Sequence, residues 1–250
     1  MYSNNINNKD IGLDLYDGMD IKVYKILKSI NIYESCIFLK EHSVFGLVDL
    51  SNFVNAIYVS CTNNNIGKII IKPHQKIETL FCANNNLLEL DELSNSLKEL
   101  ICNHNHIKAL DNLPNSLQYL NCSNNYIELF KKIPDFILYL DCSFNKIKSL
   151  NNLPLSLDYL NCSHNNIKIL DNLPNSLKNL NCSYNDIISL DFLPSSLIYL
   201  DCSYNHIENL DNLPCLLTEI IYSDNNHNYN IENFPKSIIK INKKYINFNC

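Results

Sequence analysis

The chain has 250 residues, 46% hydrophobic and 18% charged, with a net charge of −6. That is enough apolar material for a sizeable core and excludes a disordered polymer, while the acidic balance argues against nucleic acid, whose binders carry a basic footprint. No run of about 18 apolar residues occurs, so no membrane span is expected, and four glycines without GxGxxG or GxxxxGK[ST] leave no phosphate-cradling loop.

Residues 1–33 open with MYSNNINNKDIGLDL, which is polar and acidic and lacks the apolar stretch of a secretory leader. They are expected to form a polar tail, mobile over its first eighteen residues, and a cap. The segment Met19–Asn31 does not read as an adaptor box for a ubiquitin ligase. Two loose units follow, Ile37-x-Leu39-x-x-His42-x-Val44 and Val59-x-Cys61-x-x-Asn64-x-Ile66.

From about Ile77 to Leu213 a twenty-residue repeat is plain. Pro recurs from Pro114 to Pro214, Cys from Cys82 to Cys202, Asn from Asn85 to Asn225 and Ile from Ile107 to Ile207. After Pro214 the pattern decays: Tyr222 replaces Cys, an extra residue precedes Pro235, and Ile238-x-x-Ile241 resembles a final half-unit. Decay at both ends suits terminal repeats, which must cover an otherwise open core. The repeats are expected to fill 34–243, leaving 244–250 as a tail.

One unit reads Leu177-x-x-Leu180-x-Cys182-x-x-Asn185-x-Ile187-x-x-Leu190. It resembles the leucine-rich repeat, LxxLxLxxNxL, with Cys at the sixth position. The length and the LPxxLxxL opening resemble the short bacterial-effector subtype, and the Asn, Ile and Cys bias resembles the repeat proteins of mimivirus-like giant viruses. The resemblance implies a solenoid with a parallel concave sheet, and an Asn ladder bonded to the backbone of its own and neighbouring units. The ligase domain of the bacterial effectors is not carried over, because fewer than forty residues follow the last good repeat.

Alternation along the strand sends Leu180 and Cys182 inward and Asn179 and Asn181 outward. Stacking gives about nine or ten short parallel strands, and so a sheet about 40–45 Å along its axis. The return segment, Asp171 to Ser176, is short and Pro-containing, so extended or 3₁₀ backbone with little helix is expected there. The fold class is an α/β-type solenoid, mostly β.

The Cys column has three readings. As small apolar residues the thiols fill a narrow core. As disulfides they would lie close enough, but side chains in register point the same way and suit the required dihedral poorly. As zinc ligands they would need to surround a point rather than line a row. The first is favoured, and a row of thiols fits a reducing compartment. The sequons at Asn121, Asn161 and Asn181 fall on strands and read as accidental. His104 and His106 lack partners for a four-ligand set. No catalytic signature is present, and no cofactor or metal is expected.

Function is therefore expected on the outward strand positions. One column holds Tyr119, Tyr139, Tyr159, Asn179 and Tyr199, and the next holds Asn121, Asp141, Asn161, Asn181 and Asp201. A third holds Ser123 to Ser203, and a fourth His104, Asn124, Phe144, His164, Tyr184 and Tyr204. Tyrosine offers area with a polar tip and is enriched at binding hot spots. Lys and Arg are missing from these columns, which argues against phosphate. The candidate protein-binding residues are Tyr119, Tyr139, Tyr159, Tyr199, Asp141, Asp201, Phe144, Tyr184 and Tyr204. The expectation is a monomeric, intracellular, non-catalytic module for a protein partner, in a host cytoplasm or a virion. The alternatives are a structural or virion-associated repeat protein and a ubiquitin-pathway adaptor.

Overall fold

From Thr79 to Ile221 each strand is only three residues long, because each coil allots one buried residue, flanked by two half-exposed ones, to the sheet before the chain turns. In a computed structural model that describes residues 20–39, 44–151, 153–225 and 234–242, helix α1 (Ile21–Ser29) precedes thirteen strands. These are β1 (Cys36–Phe38), β2 (Phe45–Asp49), β3 (Tyr58–Ser60), β4 (Asn65–Ile70), β5 (Thr79–Phe81), β6 (Glu99–Ile101) and β7 (Tyr119–Asn121). The rest are β8 (Tyr139–Asp141), β9 (Tyr159–Asn161), β10 (Asn179–Asn181), β11 (Tyr199–Asp201), β12 (Glu219–Ile221) and β13 (Lys240–Asn242).

Eleven of these strands form one parallel sheet in the order β1-β3-β5-β6-β7-β8-β9-β10-β11-β12-β13. Sequence order and spatial order coincide, as in a solenoid whose coils touch only their neighbours. The sheet exceeds the expected nine or ten strands because both loose end units pair: Ile37 lies opposite Val59 and Ile220 opposite Ile241. His42 of the first loose unit and the tail 244–250 lie outside the described residues. The register never slips along the repeats, so Tyr119, Tyr139 and Tyr159 stand directly opposite one another.

Two further strands, β2 and β4, pair as a separate parallel sheet with a register shift between Gly46 and Leu47. Gly46 takes φ 72°, a conformation costly for side-chain-bearing residues, and this allows the bulge. The return segments of the later repeats are turns. Each is closed by a bond from the N–H of the Leu or Ile three residues on to the Pro carbonyl, such as Leu117 to Pro114 at 3.1 Å and Leu177 to Pro174 at 3.0 Å. One such i→i+3 turn per coil, set in otherwise non-helical backbone, agrees with the expected extended or 3₁₀ return side with little helix.

Helix α1 starts at the N-cap Asp20, whose carboxylate accepts from the Lys22 N–H at 2.7 Å, and it buries Val23 and Leu27 in the common core. That core continues as columns of Leu, Ile and Cys. Leu140, Cys142, Ile147 and Leu157 have no exposure. Eight cysteines, Cys61 and Cys82 to Cys202, are buried free thiols, whereas Cys36 and Cys215 are exposed. Burial pushes the thiols of Cys61, Cys102 and Cys162 up to about 12, and those of Cys82, Cys122, Cys142 and Cys182 well above the ordinary range. The column therefore stays protonated and fills space.

The Asn column sews the coils together. Asn145 donates from Nδ2 to the carbonyls of Cys142 and Ser143 in its own coil, each at 3.1 Å, and to Cys122 in the preceding coil at 3.0 Å. Its Oδ1 accepts from the Ile127 N–H at 2.9 Å. The same linkage recurs at every column position from Asn64 to Asn225. One amide thus satisfies backbone groups that the turn would otherwise leave buried and unpaired.

Two measurements check this packing by urea unfolding. Asn145→Ala is expected to cost roughly 2–5 kcal/mol, since it orphans a buried N–H and several carbonyls. Cys142→Ser is expected to cost about 1–3 kcal/mol, since a hydroxyl replaces an apolar thiol in a dry column. An unchanged midpoint for either contradicts the packing.

Candidate functional site

The flanking residues of each strand, half-exposed on either side of a buried Leu, make the open face of the sheet. Tyr119, Tyr139 and Tyr159 form a continuous stack there. Ring centroids are 4.1 and 4.3 Å apart and the planes differ by 5° in both pairs. Strict register imposes this: three identical side chains on adjacent parallel strands meet face to face. Tyr199 occupies the same column, with Asn179 between it and Tyr159.

A second stack runs beside the strand exits: Phe144 to His164 at 3.9 Å, His164 to Tyr184 at 4.0 Å and Tyr184 to Tyr204 at 4.0 Å. All four residues have φ between 51° and 53°, the left-handed region that side chains avoid. Such a conformation costs about 1–2 kcal/mol per residue, and each stacked contact returns about 0.5–1.5 kcal/mol. His164 belongs to this stack as fully as Phe144, Tyr184 and Tyr204, although sequence reasoning left it out of the site. Asn84 and Asn124 hold the same conformation earlier in the column. Asn and His are residue types enriched at left-handed positions, whereas Phe and Tyr are not.

The Ser column departs from expectation. Ser123, Ser143, Ser163, Ser183 and Ser203 are buried, not outward. Each points back into the turn: the Ser143 hydroxyl and N–H donate to Asp141 Oδ1 at 2.7 and 3.0 Å, and Ser163 does the same to Asn161 at 2.8 and 3.2 Å. Asn and Asp are interchangeable in this column because only their shared acceptor, Oδ1, is used. The Asn-Cys-Ser triplets are thus turn brackets. Asp141 and Asp201 keep their second carboxylate oxygen outside this bracket.

Two more corrections come from the sheet ends. Lys240 stands opposite Glu219 and forms an ion pair with it, so the tyrosine column does contain a cation. At the other end Tyr58 contacts Phe38 and Phe81, each at 5.3 Å between ring centroids, an aromatic cluster on the same face. These residues lie in the loose units, where the repeat gave no column to follow.

The hydroxyls of Tyr139, Tyr159, Tyr199 and Tyr204 stay neutral. Partial burial, a hydrogen bond with Tyr119 and the neighbouring tyrosines and Asp141 together hold Tyr139 well above its ordinary range. Burial with Asp201 and Glu219 nearby pushes Tyr199 up to about 12, and hydrogen bonding with Tyr184 does the same for Tyr204. Burial lowers His164. The face thus offers neutral rings and fixed carboxylates. A groove of about 670 Å³ lies elsewhere, on a flank lined by Lys108, Asp111, Tyr126, Glu128 and Lys146. Among the described residues no helix is long and apolar enough to cross a membrane.

No protein-family model matches the chain, and the search of curated proteins gave no match. Solved structures do match. YopM from Yersinia enterocolitica is 28% identical, covering 76% of this chain and 47% of its own, with a TM-score of 0.69. YopM from Yersinia pestis, described as a leucine-rich effector protein, is 26% identical, covering 83% and 68%, with a TM-score of 0.67. The functional domain of InlJ from Listeria monocytogenes, described as including a cysteine ladder, is 26% identical, covering 84% and 53%, with a TM-score of 0.63. The chain spans about half the length of the first of these. With these neighbours and its own register of coils, the chain has a leucine-rich-repeat fold of about ten turns.

Proposed function

We propose that this chain is a non-catalytic protein-interaction module whose partner docks on the open, concave face of the sheet. The observation that carries the reading is the concentration of half-exposed Tyr119, Tyr139, Tyr159 and Tyr199, with Phe144, Tyr184 and Tyr204 beside them, on one rigid surface. Rings already fixed by their neighbours lose little freedom on binding, which favours affinity. Asp141 and Asp201 add charge of one sign and so orientation. A purely structural role is the second reading, supported by the near-parallel stacking, which already covers one face of most rings.

The reading takes residues 1–33 as tail and cap, 34–243 as the repeat solenoid and 244–250 as a further tail. It takes the molecule as monomeric and intracellular, in keeping with eight buried free thiols. The Asn, Ile and Cys bias supports kinship with giant-virus repeat proteins, whereas the structural neighbours named above are bacterial.

The test is affinity capture with the wild type and with Tyr139→Ala/Tyr159→Ala. The double variant is expected to keep its far-UV spectrum and lose the captured partner. An unchanged set of partners from a folded variant contradicts the reading.

A further inference from the structure

The tyrosine ladder is interrupted once. β9, β10 and β11 are in strict register, so Tyr159, Asn179 and Tyr199 stand in line. Two strand spacings separate the flanking tyrosines, about 9–10 Å at the backbone. Where the ladder is unbroken the rings close to 4.1 and 4.3 Å. A flat group between two rings needs about 3.5–4 Å to each, or about 7–8 Å in total. The gap is therefore one planar group wide. The residue between the two tyrosines in register is Asn179, whose side chain is shorter than a tyrosine and carries no ring.

Charge selects the occupant. Asp201 lies two residues along β11 from Tyr199, close enough to raise its hydroxyl. Lys178, beside Asn179, is already paired with Asp158 at 2.7 Å, and Lys240 with Glu219. No described cation pairs with Asp141 or Asp201. A planar cation gains on both counts, from the ring faces and from the carboxylate. An ammonium is not flat, and a neutral ring gains nothing from Asp201.

We propose that the gap between Tyr159 and Tyr199 is a receptor slot for an arginine side chain of a protein partner, its guanidinium stacked between the two phenols above Asn179 and paired with Asp201. The slot rests on the docking reading above and deepens it by naming what the partner presents.

The experiment titrates the full chain calorimetrically with acetyl-Gly-Ser-Arg-Ser-Gly-amide and with its Lys, citrulline and Phe counterparts. The arginine peptide is expected to bind best. Asn179→Tyr restores the missing ring, and is expected to weaken that binding roughly tenfold while the melting temperature holds or rises. Asp201→Asn keeps the Ser203 acceptor, as Asn121, Asn161 and Asn181 do, and is expected to abolish the preference for arginine over citrulline. The slot is overturned by any of three results: no saturable heat with the arginine peptide, unchanged affinity in folded Asn179→Tyr, or equal binding of the citrulline or Phe peptide. If the slot fails while Tyr139→Ala/Tyr159→Ala still loses its captured partner, the docking reading stands without it.

Discussion

The amide of one asparagine per coil is the contact on which the rest of this molecule depends. It sits where the chain leaves the strand, beside backbone groups that water cannot reach. By donating to its own coil and to the coil before, and accepting from that earlier coil, it fixes both the shape of the turn and the distance to the neighbour. No shorter or apolar side chain offers donors and an acceptor in that geometry.

With the spacing set, the other columns follow. Coils held in register bring identical side chains into rows, so each position in the repeat is subject to one rule along the whole sheet. Inward rows must be small and apolar, which suits Leu, Ile and a thiol. The Asn-or-Asp row brackets a buried Ser. Outward rows are free to vary in chemistry, and two of them are aromatic. Stacking there is as much a consequence of the register as a cause of it, because rings on neighbouring parallel strands have nowhere else to go. The resulting face is stiff, weakly ionisable and acidic at two points, properties that suit docking better than chemistry. A break such as Asn179 stands out for the same reason: in a periodic surface, irregularity is where selectivity can reside.

Much of this was readable from the sequence because the period is an integer that does not drift from Ile77 to Leu213. Inward Cys142, the Asn145 ladder and the shared column of Tyr119, Tyr139, Tyr159 and Tyr199 all follow from position alone. What was missed lies where the period fails or where position does not determine conformation. β2 and β4 sit in units offset by an extra residue, and Lys240 in a unit whose spacing changes before Pro235. The Ser column alternates as if outward, but the chain has already begun to turn at Ser143, which inverts its direction. The left-handed backbone at Phe144 and Tyr184 is invisible because those residue types argue against it, and is imposed by the turn that Asn145 and Asn185 complete.

Counting thiols in the native protein tests the stacked core most directly. With a thiol-reactive probe at mildly alkaline pH, and with Cys250, which lies outside the described residues, replaced as Cys250→Ser, Cys36 and Cys215 are predicted to react promptly, while the eight column cysteines react only after denaturant is added. Prompt labelling of Cys122, Cys142 or Cys162 in folded protein would contradict the account, because the coils could not then enclose a dry interior.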